Sequence, residues 1–141
     1  MARFHFPLAP VQTLRQLDVD EQQRAMQQAT AQYQSALSRH QDLTAHLSML
    51  DARRPLDPQG QINHNRYRAH LTELLAEHQK ELTAAEEAMH VARKQLQQAQ
   101  QSLESLNSLE AKQKAEWLFE RQKAEQSMLD EMATLRFGKS G

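Results

Sequence analysis

The sequence predicts an all-α fold: two long helices in an antiparallel coiled-coil hairpin, with the second helix overhanging the first. Three observations lead there. The 141-residue chain holds only 3 Gly and 4 Pro, where average usage is about 7% and about 5%, so it has few places to turn. Strand formers are equally scarce, with three Val and one Ile, too few to build a sheet. Ala, Leu, Gln, Glu, Lys and Arg dominate instead, and these are strong helix formers.

The breakers divide the chain into elements. Pro7 and Pro10 suit the first turn of a helix, so helix 1 is expected over about 10–52. Pro55, Pro58, Gly60 and the aspartates Asp51 and Asp57 crowd into ten residues, a density of turn chemistry that reads as a loop over 53–61. No Pro or Gly follows until Gly138, so helix 2 is expected over about 62–136. At 1.5 Å per residue the two helices would be roughly 65 and 110 Å long. Helices of that length in one chain point to a coiled coil.

Periodicity agrees. Met26, Ala29, Tyr33, Ala36, His40, Leu43, Leu47 and Leu50 alternate steps of three and four, as do Leu75, His78, Leu82, Ala85, Met89, Ala92, Leu96, Ala99, Leu103 and Leu106. These are heptad seams. Their mixture of Ala with Leu or Met buries modest area per layer, at about 25 cal/mol per Å². A short Pro/Gly loop between two such segments favours an antiparallel hairpin, with parallel homodimerisation as the competing arrangement. Reflecting the chain about residue 57 pairs Leu50 with about His64, Tyr33 with about Glu81 and Pro10 with about Glu104. The segment after about Leu106 is then left without a partner helix.

That segment carries Leu109, Trp117, Leu118, Phe119, Met128, Leu129, Met132, Leu135 and Phe137. So much apolar surface on an unpaired helix marks a binding end. The chain has only seven aromatic residues, and Phe4, Phe6, Trp117, Phe119 and Phe137 are expected to meet there. A second stripe, Tyr67, Leu71, Leu74 and His78, lies beside the helix 2 seam. It is either a wide seam near the loop or a face on which a partner docks.

Other chemistry is excluded or weak. Cys is absent and net charge is −1, so thiol catalysis, disulfides and a general electrostatic drive toward nucleic acid or anionic membrane all fall away. The first ten residues have no long apolar run and no stretch approaches a membrane span, so a soluble cytoplasmic protein is expected. Glu87-Ala-Met-His90 is one match to a metal-ligand spacing, which chance supplies in a Glu-rich helix, so no metal and no cofactor are expected. Gly138-Lys-Ser lacks the upstream glycine and strand of a phosphate loop. Two thin helices enclose no pocket, so neither enzymatic activity nor a small-molecule substrate is expected. The mixed charges of helix 2 read as a solvated face with i,i+4 pairs such as Glu110/Lys114 and Arg121/Glu125.

The two ends carry a family resemblance. Phe4-His-Phe6-Pro-Leu8-Ala-Pro-Val11-Gln-Thr-Leu14-Arg15 resembles the opening of the FliJ family of flagellar type III export, Phe-x-Phe-x-Leu-x-x-Val-x-x-x-Arg. Leu118-Phe-Glu120-Arg121, with Glu125 and then Asp130-Glu131, is similar to that family's carboxyl-terminal pattern. The resemblance implies a cytoplasmic component of the export apparatus, placed at the inner face of the cell membrane. Members resemble the central stalk of rotary ATPases, insert their paired termini into the export ATPase hexamer, promote its assembly, contact the export gate's cytoplasmic domain and handle export chaperones. On that resemblance Phe4, Phe6, Leu8, Val11, Arg15, Trp117, Leu118, Glu120, Arg121, Asp130 and Glu131 would bind the ATPase ring. Tyr67, Leu71, Leu74 and His78 would bind the gate. Alternatives are the stalk counterpart of a virulence injectisome and a homodimeric coiled-coil scaffold.

Overall fold

The computed structural model describes residues 3–139. It consists of helix α1, Ala9–Ala52, and helix α2, Pro58–Lys139, with no strand among the described residues. The two helices pack as the expected antiparallel hairpin. Tertiary contacts divide the chain into a terminal unit, Met1–Val19 with Ala99–Gly141, and a loop unit, Asp20–Gln98.

The loop is shorter than its composition suggests, because Pro58 and Gly60 lie inside α2. Asp57 caps the helix: its Oδ2 accepts from the Gly60 amide at 2.9 Å and its carbonyl from the Gln61 amide at 3.0 Å. The carboxylate thus satisfies one orphan donor of the first turn. Pro58 takes the first helical position, where its missing N–H costs nothing. Glycine is needed at position 60 for space: a Cβ there would sit 2.5 Å from Asp57 Oδ1 and 2.9 Å from Pro55 Cβ.

In the loop unit the seam of α1 runs as expected, with Met26, Ala29, Tyr33, Ala36, His40, Leu43, Leu47 and Leu50 all buried or half-buried. Leu75 through Leu96 on α2 do the same, and the seam extends to Gln22 and Leu71. The ion pairs Arg39–Glu81 at 3.9 Å and Asp51–Arg68 at 2.6 Å cross the hairpin. Along the seams they bring together, Met26, Tyr33, Leu82 and Met89 are interleaved with Ala29, Ala36, Ala85 and Ala92. Large and small side chains thus alternate along both seams, which suits interdigitation. His40 and His78 lie on the two seams, and His40 Nδ1 and His78 Nδ1 are both buried without a hydrogen-bond partner among the described residues.

This register differs by about one helical turn from simple reflection about residue 57, which sets Glu81 at Tyr33: Glu81 instead pairs with Arg39, and Arg68 with Asp51. The cause is the connecting segment. Pro55 lies against Gly60 while Asp51 bonds to Arg68, so four residues on one arm run beside eight on the other. Non-helical chain advances up to about 3.3 Å per residue against 1.5 Å in a helix, and reflection by residue number ignores that difference.

In the terminal unit α1 begins at Ala9, with the Gln12 amide bonded to the Leu8 carbonyl at 3.0 Å and the Ala9 amide to that of Phe6 at 3.1 Å. Val19 and Ala99 are buried. Gln12 Nε2 donates to Glu110 Oε2 at 2.7 Å and to Asn107 Oδ1 at 3.1 Å. The α2 seam continues beyond Leu106 through Glu110, Gln113 and Trp117, all half-buried. Glu110, whose spacing to Lys114 suggests a pair along its own helix, is thus bonded across the seam to Gln12.

Candidate functional site

The candidate site of the terminal unit is built where the chain ahead of α1 meets α2. Prolines 7 and 10 keep the first residues out of the helix, so Phe4 and Phe6 approach α2 from a non-helical lead-in. Phe6 is buried at 5% exposure. The Phe4 ring lies 6.0 Å from the Trp117 ring at an interplanar angle of 54°, a tilted pair of the kind worth about 0.5–1.5 kcal/mol beyond area burial. The Arg121 guanidinium stands 5.3 Å from the same indole and bonds to Glu125 Oε1 at 3.5 Å. A cation on an indole face adds about 0.5–1 kcal/mol at an exposed site. Phe4, Trp117 and Arg121 thus form one cluster, and Phe6 is buried in the same lead-in.

The other residues expected at this end surround the cluster or lie beyond it. Val11 is half-buried, while Leu8, Arg15, Leu118 and Glu120 are exposed. Asp130 and Glu131 are exposed as well, roughly 20 Å along α2 from Trp117 at 1.5 Å per residue. Asp130 accepts from Gln126 at 3.2 Å. The expectation that Phe119 and Phe137 join Phe4, Phe6 and Trp117 is corrected: they are 64% and 79% exposed, and α2 carries Phe137 about 30 Å past Trp117. The unpaired stretch is also shorter than expected. It begins after Trp117 rather than after Leu106, because the lead-in and the one-turn register shift extend the pairing.

From Gln122 to Gly138 every residue is exposed. Leu118 is 43% exposed, and Met128, Leu129, Met132 and Leu135 are each 61–64% exposed. At 100° per residue these five fall within about 120° of the helix surface, so α2 presents an apolar face with no α1 against it. Leu14 and Leu17, 65% and 57% exposed on α1, were not singled out from the sequence. Stepping the seam back from Val19 lands on Arg15 and Gln12 and leaves both leucines off it, a signal that could have found them.

In the loop unit the stripe Tyr67, Leu71, Leu74, His78 is not one exposed face. Leu71 is 4% exposed and belongs to the core; Leu74 and His78 are half-buried. Only Tyr67 is exposed, at 45%. Its hydroxyl lies 2.9 Å from His46 Nε2 and the two rings meet edge to face at 5.8 Å. The stripe is mostly a wide seam, and the surface it leaves is Tyr67 with His46. Next to it, hydrogen bonding to Arg68 holds the Asp51 carboxyl below its ordinary range, and Asp51 in turn raises Arg68.

Among the described residues no group of three or more His, Cys, Asp or Glu could hold a metal ion. His90 Nε2 lies 3.8 Å from Glu86 Oε1, one turn back on its own helix, rather than beside the Glu87 of the sequence spacing. No described helix is long and apolar enough to cross a membrane. A shallow concavity on α2 is lined by Leu129, Met132, Ala133, Leu135, Arg136 and Phe137.

No curated protein matches the chain. A family model does: the one described as Flagellar FliJ protein matches residues 4–141, which takes in both terminal patterns and the hairpin between them. The chain belongs to the FliJ family of flagellar export proteins.

Proposed function

We propose that this protein is the central stalk of the flagellar export ATPase ring, promoting ring assembly and linking the ring to the export gate without itself being an enzyme. The observation that carries this reading is the apolar face of α2 beyond Trp117, which α1 leaves uncovered. A ring closing around this end would bury Leu118, Met128, Leu129, Met132 and Leu135, with Phe4, Phe6 and Trp117 fixing the base of the inserted segment. Leu8, Val11, Arg15, Glu120, Arg121, Asp130 and Glu131 would supply the surrounding contacts. One helix pair inside a sixfold pore touches its subunits unequally, and such differential contact is what allows a ligand to bias conformational states.

The gate contact belongs to the loop unit in this reading. Tyr67 offers the exposed apolar surface, with Leu74 and His78 at its edge, while Leu71 supports it from the core. Export chaperones are the third class of partner. The protein would act in the cytoplasm at the inner face of the membrane, held there by the export apparatus.

Titrating the purified export ATPase with full-length protein and with a chain ending at Arg121 tests the ring assignment. The shortened chain should lose binding and stimulation of hexamer formation, and equal affinity of the two chains would refute it. For the gate, Tyr67→Ala should weaken binding to the gate's cytoplasmic domain several-fold. Unchanged gate binding would remove Tyr67 from the contact.

A further inference from the structure

The balanced charge of the whole chain hides a local excess at the hairpin end of the loop unit. Between Asp42 and Glu73 the only charged side chains, histidines aside, are Arg53, Arg54, Arg66, Arg68, Asp51 and Asp57, a net of +2 in a chain of net −1. Both carboxylates are already engaged, Asp51 with Arg68 at 2.6 Å and Asp57 in capping α2. Arg53, Arg54 and Arg66 are exposed and form no ion pair among the described residues, with Arg54 acting on Asp51 only through space. Beside Arg53 and Arg54 stands Leu56, 96% exposed, the most exposed large apolar side chain among the described residues. We propose that this tip docks on the surface of an anionic lipid bilayer, with Leu56 and Ile62 entering the headgroup layer and Arg53, Arg54 and Arg66 binding its phosphates.

The chain holds these groups in place. Arg53 and Arg54 lie within three residues of Leu56, at most about 11 Å of extended chain. The Asp57 cap and the approach of Pro55 to Gly60 fix the turn, so Leu56 is kept out of the seam. On α2, Ile62 is 48% exposed. At 100° per residue it stands about 180° around the helix from buried Leu71, and Arg66 about 140° from it, so both face away from α1. Four residues apart, Ile62 and Arg66 are neighbours on that face. A lone exposed leucine is ordinary on a protein surface. Here two aliphatic side chains share a tip with three uncommitted guanidiniums, the pairing of apolar anchor and cation that interfacial membrane segments use. Area argues against a protein partner: the end of a two-helix hairpin measures roughly 10 by 20 Å, far short of the about 800 Å² a side that specific protein interfaces bury. Lipid headgroups rearrange around so small a tip. Nucleic acid would engage the arginines but leave Leu56 and Ile62 without a role. With three cations and two aliphatic side chains the contact is weak, reversible and salt-dependent.

Co-sedimentation of the full-length protein with vesicles of phosphatidylcholine, alone or mixed equally with phosphatidylglycerol, tests this. The protein should pellet with the mixed vesicles at low salt and stay in solution with phosphatidylcholine alone. It should be released at about 0.5 M NaCl, where charges are screened within a few ångströms. Arg53→Glu/Arg54→Glu should lower the partition roughly tenfold or more, and Leu56→Asp several-fold, both with wild-type helicity by circular dichroism. Lys112→Glu/Lys114→Glu, an equal charge reversal at exposed positions of α2, and Leu129→Asp/Met132→Asp, on the terminal apolar face, should bind as wild type does. No pelleting with the mixed vesicles, equal pelleting with phosphatidylcholine, undiminished binding of Arg53→Glu/Arg54→Glu, or loss of binding in either α2 variant overturns the proposal. So does binding to poly-glutamate as tight as to the mixed vesicles and insensitive to Leu56→Asp, which would make the tip a site for acidic polypeptide. No ATPase or gate domain is present, so these results are independent of the stalk assignment.

Discussion

The loop unit and the terminal unit use the same kinds of residues to opposite ends. In the loop unit the seam residues of both helices are buried or half-buried, with Leu, Met and Tyr interleaved with Ala. In the terminal unit α2 outruns α1, and Leu118, Met128, Leu129, Met132 and Leu135 remain in solvent. Apolar area that stabilises the fold in one unit is left exposed in the other. The lesson is that a leucine on a heptad position states its role only once the opposing chain is known.

The sharpest way to break the comparison is to truncate one leucine in each unit. Leu71→Ala should destabilise the fold by about 2–4 kcal/mol, as buried Leu truncations do, read from the urea midpoint. Leu129→Ala should stay within about 0.5 kcal/mol of wild type. Equal effects would mean that the terminal face is already covered in the free protein.

The cluster at Trp117 sets the boundary between the covered and uncovered parts of α2. Phe6→Ala should cost about 2–3 kcal/mol, below the usual range for a buried Phe because a non-helical lead-in can open locally. Amide exchange should accelerate in residues 4–12 before it does in the loop unit.

A substitution in the other direction sharpens the account of the loop unit. His40→Leu/His78→Leu replaces two seam side chains whose buried ring nitrogens have no partner among the described residues and should raise stability by about 1–2 kcal/mol, seen as a higher melting temperature. A drop would show that these nitrogens are satisfied in solution. Gly60→Ala should cost about 1 kcal/mol, because the added Cβ pushes on the capping carboxylate of Asp57 and on Pro55.

The smallest effect is electrostatic. Asp51 and Arg68 are both more than one-third exposed, so their pair is weak and screened by salt. Its sign is nonetheless fixed. Arg68 lowers the folded-state value of Asp51, so the contribution is present above the carboxyl's unfolded value and fades as pH falls through the lowered one. Arg68→Ala should flatten that acid limb slightly and leave neutral-pH stability nearly unchanged.

Much of this was legible in the chain. The steps of three and four from Met26 to Leu50 and from Leu75 to Leu106 specify the buried stripes directly, and the cluster of Pro55, Pro58 and Gly60 specifies the turn. The register was not legible, since it depends on how far the non-helical residues 53–57 travel. That distance comes from the Asp57 cap and the Pro55 contact rather than from residue count. At the sites, Trp117 and the leading phenylalanines could be read as a cluster because prolines hold the lead-in out of α1. Leu71 could not be placed, because two stripes one position apart overlap on Leu74 and Leu75, and only the opposing helix decides which is core. The families of polar contacts, Gln12 with Glu110 and His46 with Tyr67, depend on that same register.

The central claim is that the apolar face beyond Trp117 is held for a partner while the loop unit is complete in itself. Hydrogen exchange of the full-length protein, alone and with the export ATPase hexamer, measures it directly. The account predicts new protection concentrated in residues 118–137, with residues 20–50 and 70–98 unchanged. Unaltered exchange across 118–137 in the bound protein would contradict it.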